Sequence, residues 1–256
     1  MAFHELHHRE LPLVLPNAWD VPSVLAFLDA GFEAIGTTSL GVASSMGRPD
    51  GGRATKAANV LLARALSRLP CYISVDIEDG YADEPDAVAD YTADLDAAGI
   101  NIEDSSAERL IGPEAHAAKV AAVKRRRPDL FVNARVDTYW LGQEATVDAT
   151  LDRAALYVEA GADGIFVPGV SEPAVLRELA RSIPVPLNVL AIPGLSPADL
   201  AALGVRRVST GSLPYRAALH AAADAARAVR AGRALPEATS YPQVQARLEQ
   251  FQQQTR

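Results

Sequence analysis

The sequence of 256 residues contains one cysteine, Cys71, and only three lysines. A single thiol excludes an internal disulfide framework and any zinc or iron–sulfur site built from cysteines. The lysines, Lys56, Lys119 and Lys124, all fall in segments that we predict to be helical. No lysine therefore lies at a strand end, where a Schiff-base nucleophile would be needed.

The chain also lacks a long apolar run and an excess of positive charge. No stretch approaches the ~20 apolar residues that cross a bilayer, and the polar start at residues 1–10 is unlike a signal peptide. Acidic residues outnumber basic ones by 32 to 24, which gives a net charge of -8 and disfavours nucleic acid and anionic membranes as partners. We expect a cytoplasmic protein with neither kind of partner.

The N-terminal residues 4–8 contain the H-E-x-x-H pattern of zinc proteases. That pattern needs a stable helix that presents both histidines, and here Pro12 and a strand-like segment follow almost at once. We expect a flexible terminus in place of a metal site.

From residue 11 onward, a unit of apolar strand, polar or glycine turn and amphipathic helix repeats eight times. The predicted strands are 13–15, 34–37, 72–77, 100–103, 131–136, 164–167, 186–190 and 207–209. Eight such units predict an α/β fold, a closed (β/α)8 TIM barrel, as a single domain over residues 1–256. Residues 232–256 are predicted to form a C-terminal helical tail. A single barrel does not need this tail, so we expect it to pack on a neighbouring subunit.

The third strand carries the most informative stretch, residues 74–80 (SVDIEDG). Because side chains alternate along a strand, Val75 and Ile77 share one face while Asp76 and Glu78 share the other. The apolar face suits the outer helices, so the two carboxylates are predicted to point into the barrel. Two like charges ~4 Å apart repel by roughly 4 kcal/mol at an effective dielectric of about 20, so a cation is needed there.

The same alternation predicts inward-facing polar side chains on three further strands. They are Glu103, Asn133, Arg135 and Asn188. In a barrel of this kind the active site lies at the carboxyl ends of the strands. One guanidinium balances only part of three carboxylates, and all candidate ligands are oxygens, so the pattern predicts Mg²⁺, or Mn²⁺, in preference to zinc. A salt-bridged barrel core centred on Arg135 is the alternative interpretation.

Seven short motifs, in this order, resemble the isocitrate lyase and phosphoenolpyruvate mutase superfamily, especially its small phosphonomutase-like members. They are LPNAWD from residue 15, TSLGVA from 38, GRPD from 47, DIEDGY from 76, IED from 102, ARVD from 134 and NVL from 188. The resemblance implies that Asp76 binds Mg²⁺ directly, while Asp50, Glu78 and Glu103 hold it through waters.

The resemblance also implies the ligand contacts and the assembly. A substrate carboxylate would lie against Thr38 and the backbone amides around Ser39 and Leu40. The implied substrate-binding residues are Trp19, Thr38, Ser39, Leu40, Asp76, Arg135 and Asn188. The implied assembly is a homodimer or homotetramer, with the eighth helix exchanged between neighbouring subunits.

The loop after the fourth strand departs from the carbon–carbon lyases that the chain resembles. Those lyases carry a Lys-Arg/Lys-Cys-Gly-His signature there, whereas residues 105–113 contain neither cysteine nor lysine. The gating-loop lysine and asparagine of the mutase are missing too. This departure argues against a true isocitrate or methylisocitrate lyase.

Three functions remain open at this point. The first is a Mg²⁺-dependent lyase or decarboxylase that cleaves a carbon–carbon bond of a small 2-oxo or 2-hydroxy carboxylate, such as an oxaloacetate-like acid, through a metal-stabilised enolate. Its candidate catalytic residues are Arg135 and Glu103, and the acid that protonates the enolate is Tyr81, Ser105 or a water on the metal. The second is phosphorus–carbon chemistry on phosphoenolpyruvate or phosphonopyruvate. The third is a protein that binds 2-oxo acids without turnover.

Overall fold

Eight parallel strands surround the centre of the molecule in the computed structural model, which describes residues 3–254. Strand β1 is split at Pro16, and the strands are β1 Leu13–Leu15 with Asn17–Ala18, β2 Ala34–Thr37, β3 Tyr72–Asp76, β4 Gly99–Glu103, β5 Phe131–Arg135, β6 Gly164–Phe166, β7 Leu187–Leu190 and β8 Arg207–Ser209. The first segment of β1 pairs with β8 and the second with β2, so the sheet closes on itself. The (β/α)8 barrel prediction is confirmed. Each predicted strand is found with its ends shifted by one residue at most, except that β1 resumes after Pro16 and extends to Ala18.

Helices follow the strands and cover the outside of the barrel. They are α1 Val21–Asp29, α2 Ser39–Ser45, α3 Lys56–Leu66, α4 Pro85–Ala93, α5 Pro113–Arg126, α6 Thr138–Leu141, α7 Val147–Glu159, α8 Pro173–Ser182, α9 Pro197–Ala202, α10 Leu213–Arg230 and α11 Tyr241–Gln254. Outward strand residues such as Val75, Ile100 and Val132 are fully buried in one hydrophobic cluster between barrel and helices. This layer fixes the parity of each strand and therefore decides which side chains face inward. Within residues 3–254, no helix is both long and apolar enough to span a bilayer.

The N-terminal segment closes the barrel at the end where the strands begin. Phe3–His8 forms a 3-10 helix in which Phe3, Leu6 and His7 are buried. The His7 ring stacks on Phe131, the first residue of β5, with 4.1 Å between ring centroids. The prediction of a flexible terminus is wrong for residues 3–8, because three apolar or aromatic side chains find a hydrophobic surface on the strand starts. Residues 1 and 2 of that prediction lie outside the described part of the chain.

Two connections at the carboxyl ends of the strands differ from simple loops. The long connection after β2 contains the short helix α2, followed by turns over residues 46–55, which we call the β2–α3 segment. The connection after β4 is a small hairpin that pairs Ser105–Ser106 with Arg109–Leu110. Its two turn residues, Ala107 and Glu108, both have positive φ, 48° and 59°, as a tight two-residue hairpin turn requires. The connection between β4 and α5 is therefore short.

The C-terminal helices are exposed to an unusual degree. Only Tyr215 and Ala228 are buried in α10, and no residue is buried in α11. An ion pair between Arg247 and Asp29 ties α11 to α1. The tail predicted for residues 232–256 thus contains one helix, with residues 255 and 256 outside the described range, and its packing on a neighbouring subunit stays a prediction.

Candidate active site at the barrel mouth

An arginine and two acids form the centre of the mouth, where β4 and β5 end. Glu103 and Arg135 are register partners on these adjacent strands. The Nη1 atom of Arg135 donates to Glu103 at 2.5 Å, and its Nε atom donates to Asp137 at 2.5 Å. Within residues 3–254 these acids engage Nη1 and Nε, and Nη2 has no hydrogen-bond partner, so this one nitrogen can donate to a ligand.

Asp76 ends β3 and adds a further carboxylate to this site. Burial raises the pKa of Asp76 to about 6, Arg135 opposes that rise, and the carboxylate of Asp50 adds to it. Burial likewise raises the pKa of Glu103 well above its usual range, although Arg135 opposes this, and Asp76 and Asp137 contribute to the rise. Burial alone would lower the pKa of Arg135, but the surrounding carboxylates outweigh it and raise that pKa. Burial and the neighbouring carboxylates thus disfavour the ionised forms of Asp76 and Glu103 with Arg135 as the nearby cation.

The carboxylate of Asp76 has few protein partners, which suits a metal ligand. It accepts two long hydrogen bonds, 3.4 Å from the Ser39 amide and 3.3 Å from the Glu78 amide. In the described ranges no cluster of three or more His, Cys, Asp or Glu side chains is arranged to hold an ion. Mg²⁺ commonly binds through one or two carboxylates and keeps several waters, so these residues fit Mg²⁺ held directly by Asp76.

The Glu78 carboxylate binds the β2–α3 segment. Strand β3 ends at Asp76, and Glu78 takes a left-handed conformation with φ of 51°, so strand alternation no longer applies to it. Its carboxylate accepts from the Arg53 amide at 2.6 Å and from the Thr55 hydroxyl at 2.6 Å. The inward direction predicted for Glu78 from strand parity is therefore wrong, and both of its oxygens bind the β2–α3 segment. Its part in holding Mg²⁺ through water stays a prediction.

Asp50 lies on that same β2–α3 segment and is exposed to solvent. Its carboxylate accepts from the Gly51 amide at 3.0 Å. It lies close enough to raise the pKa values of both Asp76 and Glu103. Asp50 is thus positioned by a loop and not by a strand, and its part in metal binding stays a prediction.

Tyr81 lies behind the site. Its hydroxyl lies 2.7 Å from the Thr55 hydroxyl and from the Asn59 amide nitrogen, and 3.4 Å from the Asp76 carbonyl. Burial raises the pKa of Tyr81 well above its usual range. These contacts do not support Tyr81 as the acid that protonates an enolate, and they give it a positioning place beneath Asp76.

The predicted ligand contacts lie around Asp76 and along the inner wall. The Asp76 amide donates to Thr37 at 2.9 Å, which brings the following residues, Thr38, Ser39 and Leu40, to the start of α2 beside the carboxylate. The indole of Trp19 packs edge-on against Tyr215, 5.2 Å between centroids.

Asn188 faces the barrel interior from β7. Its side-chain amide nitrogen donates to Ser209 at 3.1 Å. No contact here tests the predicted binding of substrate by Asn188 or by Trp19, so those roles stay predictions.

A polar layer beneath the mouth contains Arg207, which the sequence analysis did not identify. Arg207 is fully buried and donates to Asn101 at 3.0 Å, and Asn133 donates to the same oxygen at 2.9 Å. Burial lowers the pKa of Arg207 to about 9, and Asp76 opposes this only in part. The alternation of Arg207, Val208 and Ser209 along β8 was the signal that could have identified it.

A second missed group holds β4 to β5 behind the site. The buried carboxylate of Asp104 accepts from the Tyr157 hydroxyl at 2.7 Å, from Arg153 at 3.1 Å and from the Asp137 amide at 2.8 Å. These bonds fix Asp137, which in turn holds Arg135. The two side-chain partners, Arg153 and Tyr157, come from α7, more than forty residues away, so local sequence patterns could not identify them.

Comparison with known proteins gives one consistent result. Residues 3–230 match the phosphoenolpyruvate phosphomutase family. An uncharacterised protein of Mycobacterium tuberculosis H37Rv is 62% identical over 255 residues, which cover 100% of this chain and 99% of that protein. The 2-methylisocitrate lyase of Bacillus subtilis 168 is 33% identical over 189 residues, 68% of this chain but only 61% of that lyase.

A solved structure of similar fold is phosphonopyruvate hydrolase in complex with oxalate and Mg²⁺. It has a TM-score of 0.82 and 25% sequence identity, and the match covers 100% of this chain and 99% of the hydrolase. The family match extends over most of the chain and includes every strand of the barrel. The chain therefore belongs to the phosphoenolpyruvate phosphomutase family, within the isocitrate lyase and phosphoenolpyruvate mutase superfamily.

Proposed function

We propose that this protein is a Mg²⁺-dependent lyase that cleaves a carbon–carbon bond of a small 2-oxo or 2-hydroxy carboxylate. The observation that carries the proposal is the buried Asp76 carboxylate, which has only two long amide hydrogen bonds, beside an arginine whose Nη2 can donate to a ligand. The relation to a 2-methylisocitrate lyase and to a hydrolase solved with oxalate and Mg²⁺ supports it.

Asp76 would hold the ion, with Asp50 and Glu103 near enough to act through water. When bound, Mg²⁺ supplies Lewis-acid stabilisation of the negative charge that develops on the substrate as the bond breaks. The amides of Ser39 and Leu40 would bind the substrate carboxylate. The free Nη2 of Arg135 would donate to another substrate oxygen, and Glu103 and Asp137 fix the plane of the guanidinium for this purpose.

Both side chains considered as proton donors to the enolate already make hydrogen bonds within the protein. Ser105, the other side-chain candidate, donates its hydroxyl hydrogen to Asp137 at 2.5 Å, and the Tyr81 hydroxyl is engaged beneath Asp76. The hairpin after β4 carries no cysteine or lysine. A reaction that begins without a strong base and is completed by a proton from water suits this mouth best.

Phosphorus–carbon chemistry is the second candidate, because the hydrolase of similar fold acts on phosphonopyruvate by its name. A phosphonate carries more negative charge than a carboxylate and needs additional cations. The interior strands offer Arg135 at the mouth and Arg207 beneath it, where Arg207 is fully enclosed. The small supply of cations favours the carboxylate lyase.

Turnover of a panel of acids tests the proposal. Protein with Mg²⁺ is incubated with C3 to C6 2-oxo and 2-hydroxy acids and with phosphonopyruvate, and products are followed by proton and phosphorus NMR. We expect carbon–carbon cleavage that Glu103→Ala abolishes. Cleavage of phosphonopyruvate alone would establish the second candidate. Mg²⁺-dependent binding with no turnover above Glu103→Ala would establish a binding protein.

A further inference from the structure

Asn101 lies on β4 between two other inward-facing side chains. Its register partner on β3 is Asp76, and its register partner on β5 is Asn133. The flanking Ile100 and Ile102 are fully buried in the outer hydrophobic cluster, so alternation directs Asn101 into the barrel. Asn101 is therefore the strand neighbour of the carboxylate that we propose as the metal ligand.

The orientation of the Asn101 amide follows from its two partners. Its Oδ1 atom accepts from Nη2 of Arg207 at 3.0 Å and from Nδ2 of Asn133 at 2.9 Å. A guanidinium has N–H donors and no acceptor, so the atom of Asn101 that Arg207 contacts is the amide oxygen. The oxygen and nitrogen of this amide cannot be exchanged, and the NH2 group lies on the side away from its partners.

The NH2 group of Asn101 is accessible from the mouth. It makes no hydrogen bond within residues 3–254, yet it is not among the fully enclosed side-chain atoms of that range that lack a partner. Asn101 is 5% exposed. The hydrophobic cluster that includes Phe3, Leu6 and Phe131 closes the opposite end of the barrel. A ligand in the mouth therefore meets an amide donor whose direction is already fixed.

The position of this donor suits one oxygen of the proposed substrate. The substrate carboxylate is assigned to the amides of Ser39 and Leu40 at the start of α2. The next polar atom of a 2-oxo acid is the 2-oxo oxygen, which remains for a donor beside Asp76. An amide NH2 group donates and does not accept, so it is suited to an oxygen that gains negative charge.

We infer that Asn101 donates to the 2-oxo oxygen of the bound acid, and that Arg207 is a positioning residue that fixes the direction of this donor. This inference rests on the proposed function and adds a ligand contact to it. When an oxaloacetate-like acid loses carbon dioxide, the electron pair of the broken bond passes to C3 and is shared with the 2-oxo oxygen. Water then gives a proton to C3 and leaves as hydroxide, so no base is needed. A donor fixed in advance stabilises the 2-oxo oxygen as its charge grows.

Calorimetry on the full-length protein tests the role of Asn101. Mg²⁺ is titrated first, and oxalate is then titrated at saturating Mg²⁺, because oxalate presents an oxygen in place of the 2-oxo group. Asn101→Leu removes the donor at similar side-chain volume. We expect it to weaken oxalate binding tenfold or more and to leave Mg²⁺ affinity within twofold of wild type. Ser74→Ala, which removes a 3.5 Å partner of the same Arg207 nitrogen, is the matched control and should bind oxalate as wild type does.

Variants of Arg207 test the positioning role. Arg207→Met leaves Asn101 without the donor that orients it, whereas Arg207→Lys retains N–H donors. We expect Arg207→Met to weaken oxalate binding fivefold or more and Arg207→Lys to recover part of that loss. In a protein that already carries Asn101→Leu, Arg207→Met should cause no further loss. Replacing both partners by apolar groups also leaves no unpaired acceptor, so the double variant is the one expected to fold best.

A measurement on the wild-type protein keeps the test independent of folding. The chain has five asparagines, so selective ¹⁵N labelling of asparagine gives five side-chain amide signals. We expect oxalate with Mg²⁺ to shift the Asn101 signal and to slow its hydrogen exchange. The inference is overturned if oxalate binds but leaves that signal unchanged, or if Asn101→Leu weakens Mg²⁺ binding as much as oxalate binding. In both cases the Mg²⁺-dependent binding of oxalate still supports the metal site. Absence of that binding in the wild type overturns the proposed function, and the inference with it.

Discussion

The guanidinium of Arg53 binds the buried carboxylate of Asp79, with Nη2 2.7 Å from one carboxylate oxygen and Nε 3.0 and 3.1 Å from the two oxygens. The same guanidinium pairs with Asp83, and the Arg53 amide donates to Glu78. These bonds fasten the β2–α3 segment, which carries Asp50, to the turn after β3. The position of Asp50 at the mouth therefore depends on an ion pair outside the mouth.

Removing this ion pair should loosen the β2–α3 segment. Arg53→Ala leaves the buried Asp79 carboxylate without its hydrogen-bonded guanidinium, a loss of about 1 to 3 kcal/mol, which corresponds to roughly fivefold to 150-fold in the local opening equilibrium. Hydrogen–deuterium exchange of residues 46–55 should accelerate accordingly, and Mg²⁺ affinity should fall. Arg48→Ala, in the same segment, is the matched control. Unchanged exchange in Arg53→Ala would show that the ion pair does not hold the segment.

The fork geometry of Arg135 should be needed for ligand binding. A lysine keeps the charge, but it lacks the planar guanidinium that can donate to Glu103, Asp137 and a ligand oxygen at fixed angles. We expect Arg135→Lys to weaken oxalate binding at saturating Mg²⁺ by tenfold or more, as measured by calorimetry. Arg181→Lys on the exposed surface of α8 is the control. If Arg135→Lys binds oxalate as the wild type does, Arg135 supplies charge alone.

Two buried histidines should make the fold sensitive to acid. Burial lowers the pKa of His7 and of His116 to about 3, whereas an unfolded histidine titrates near 6.5. Between those values the unfolded chain binds protons that the native chain does not, so stability falls as pH falls from about 6.5 toward 3. Each histidine contributes a slope of about 1.4 kcal/mol per pH unit in that window.

Substitution of one histidine isolates this effect. His116 packs against Tyr157, 4.5 Å between ring centroids, so His116→Phe keeps a ring in that place. Urea unfolding at pH 7 and pH 5 should show a smaller loss of stability at pH 5 for His116→Phe than for wild type. His220→Phe, on the exposed side of α10, should behave like wild type. Equal losses in all three proteins would mean that His116 is protonated in the native state.

The exposed C-terminal helices predict an oligomer. Leu219 and Val229 on α10 are 54% and 66% exposed, and Leu235 and Tyr241 beyond it are 69% and 80% exposed. Light scattering after size exclusion should give a dimer or tetramer for the wild type. Leu219→Glu combined with Val229→Glu should shift it toward the monomer, and Arg230→Glu should not. A wild-type monomer at micromolar concentration would contradict helix exchange between subunits.

Regular alternation made most of the barrel predictable. Each strand carries an apolar outward face, so the inward positions of Glu103, Asn133, Arg135 and Asn188 could be deduced from parity alone. The order of eight strand–helix units then determined the closed sheet. Local rules were sufficient there because strand pairing and burial act on neighbouring positions.

Sequence reasoning was insufficient at two kinds of position. One is where the chain leaves a strand, and the other is where residues distant in the sequence determine the environment of a side chain. Parity placed Glu78 inward, but the chain turns left-handed immediately after Asp76. The partners of the Tyr81 hydroxyl, Thr55 and Asn59, come from before and within α3, so the sequence around Tyr81 could not reveal them. The N-terminal residues seemed unstructured because the surface that buries them comes from strand starts elsewhere in the chain.

Calorimetric titration of oxalate into the protein, with and without Mg²⁺, tests the central claim most directly. If Asp76 holds a metal that receives a chelating acid, Mg²⁺ should tighten oxalate binding at least tenfold, and Asp76→Asn should abolish that gain while the protein stays folded by circular dichroism. Oxalate affinity that is independent of Mg²⁺, or an Asp76→Asn variant that binds as the wild type does, would contradict it.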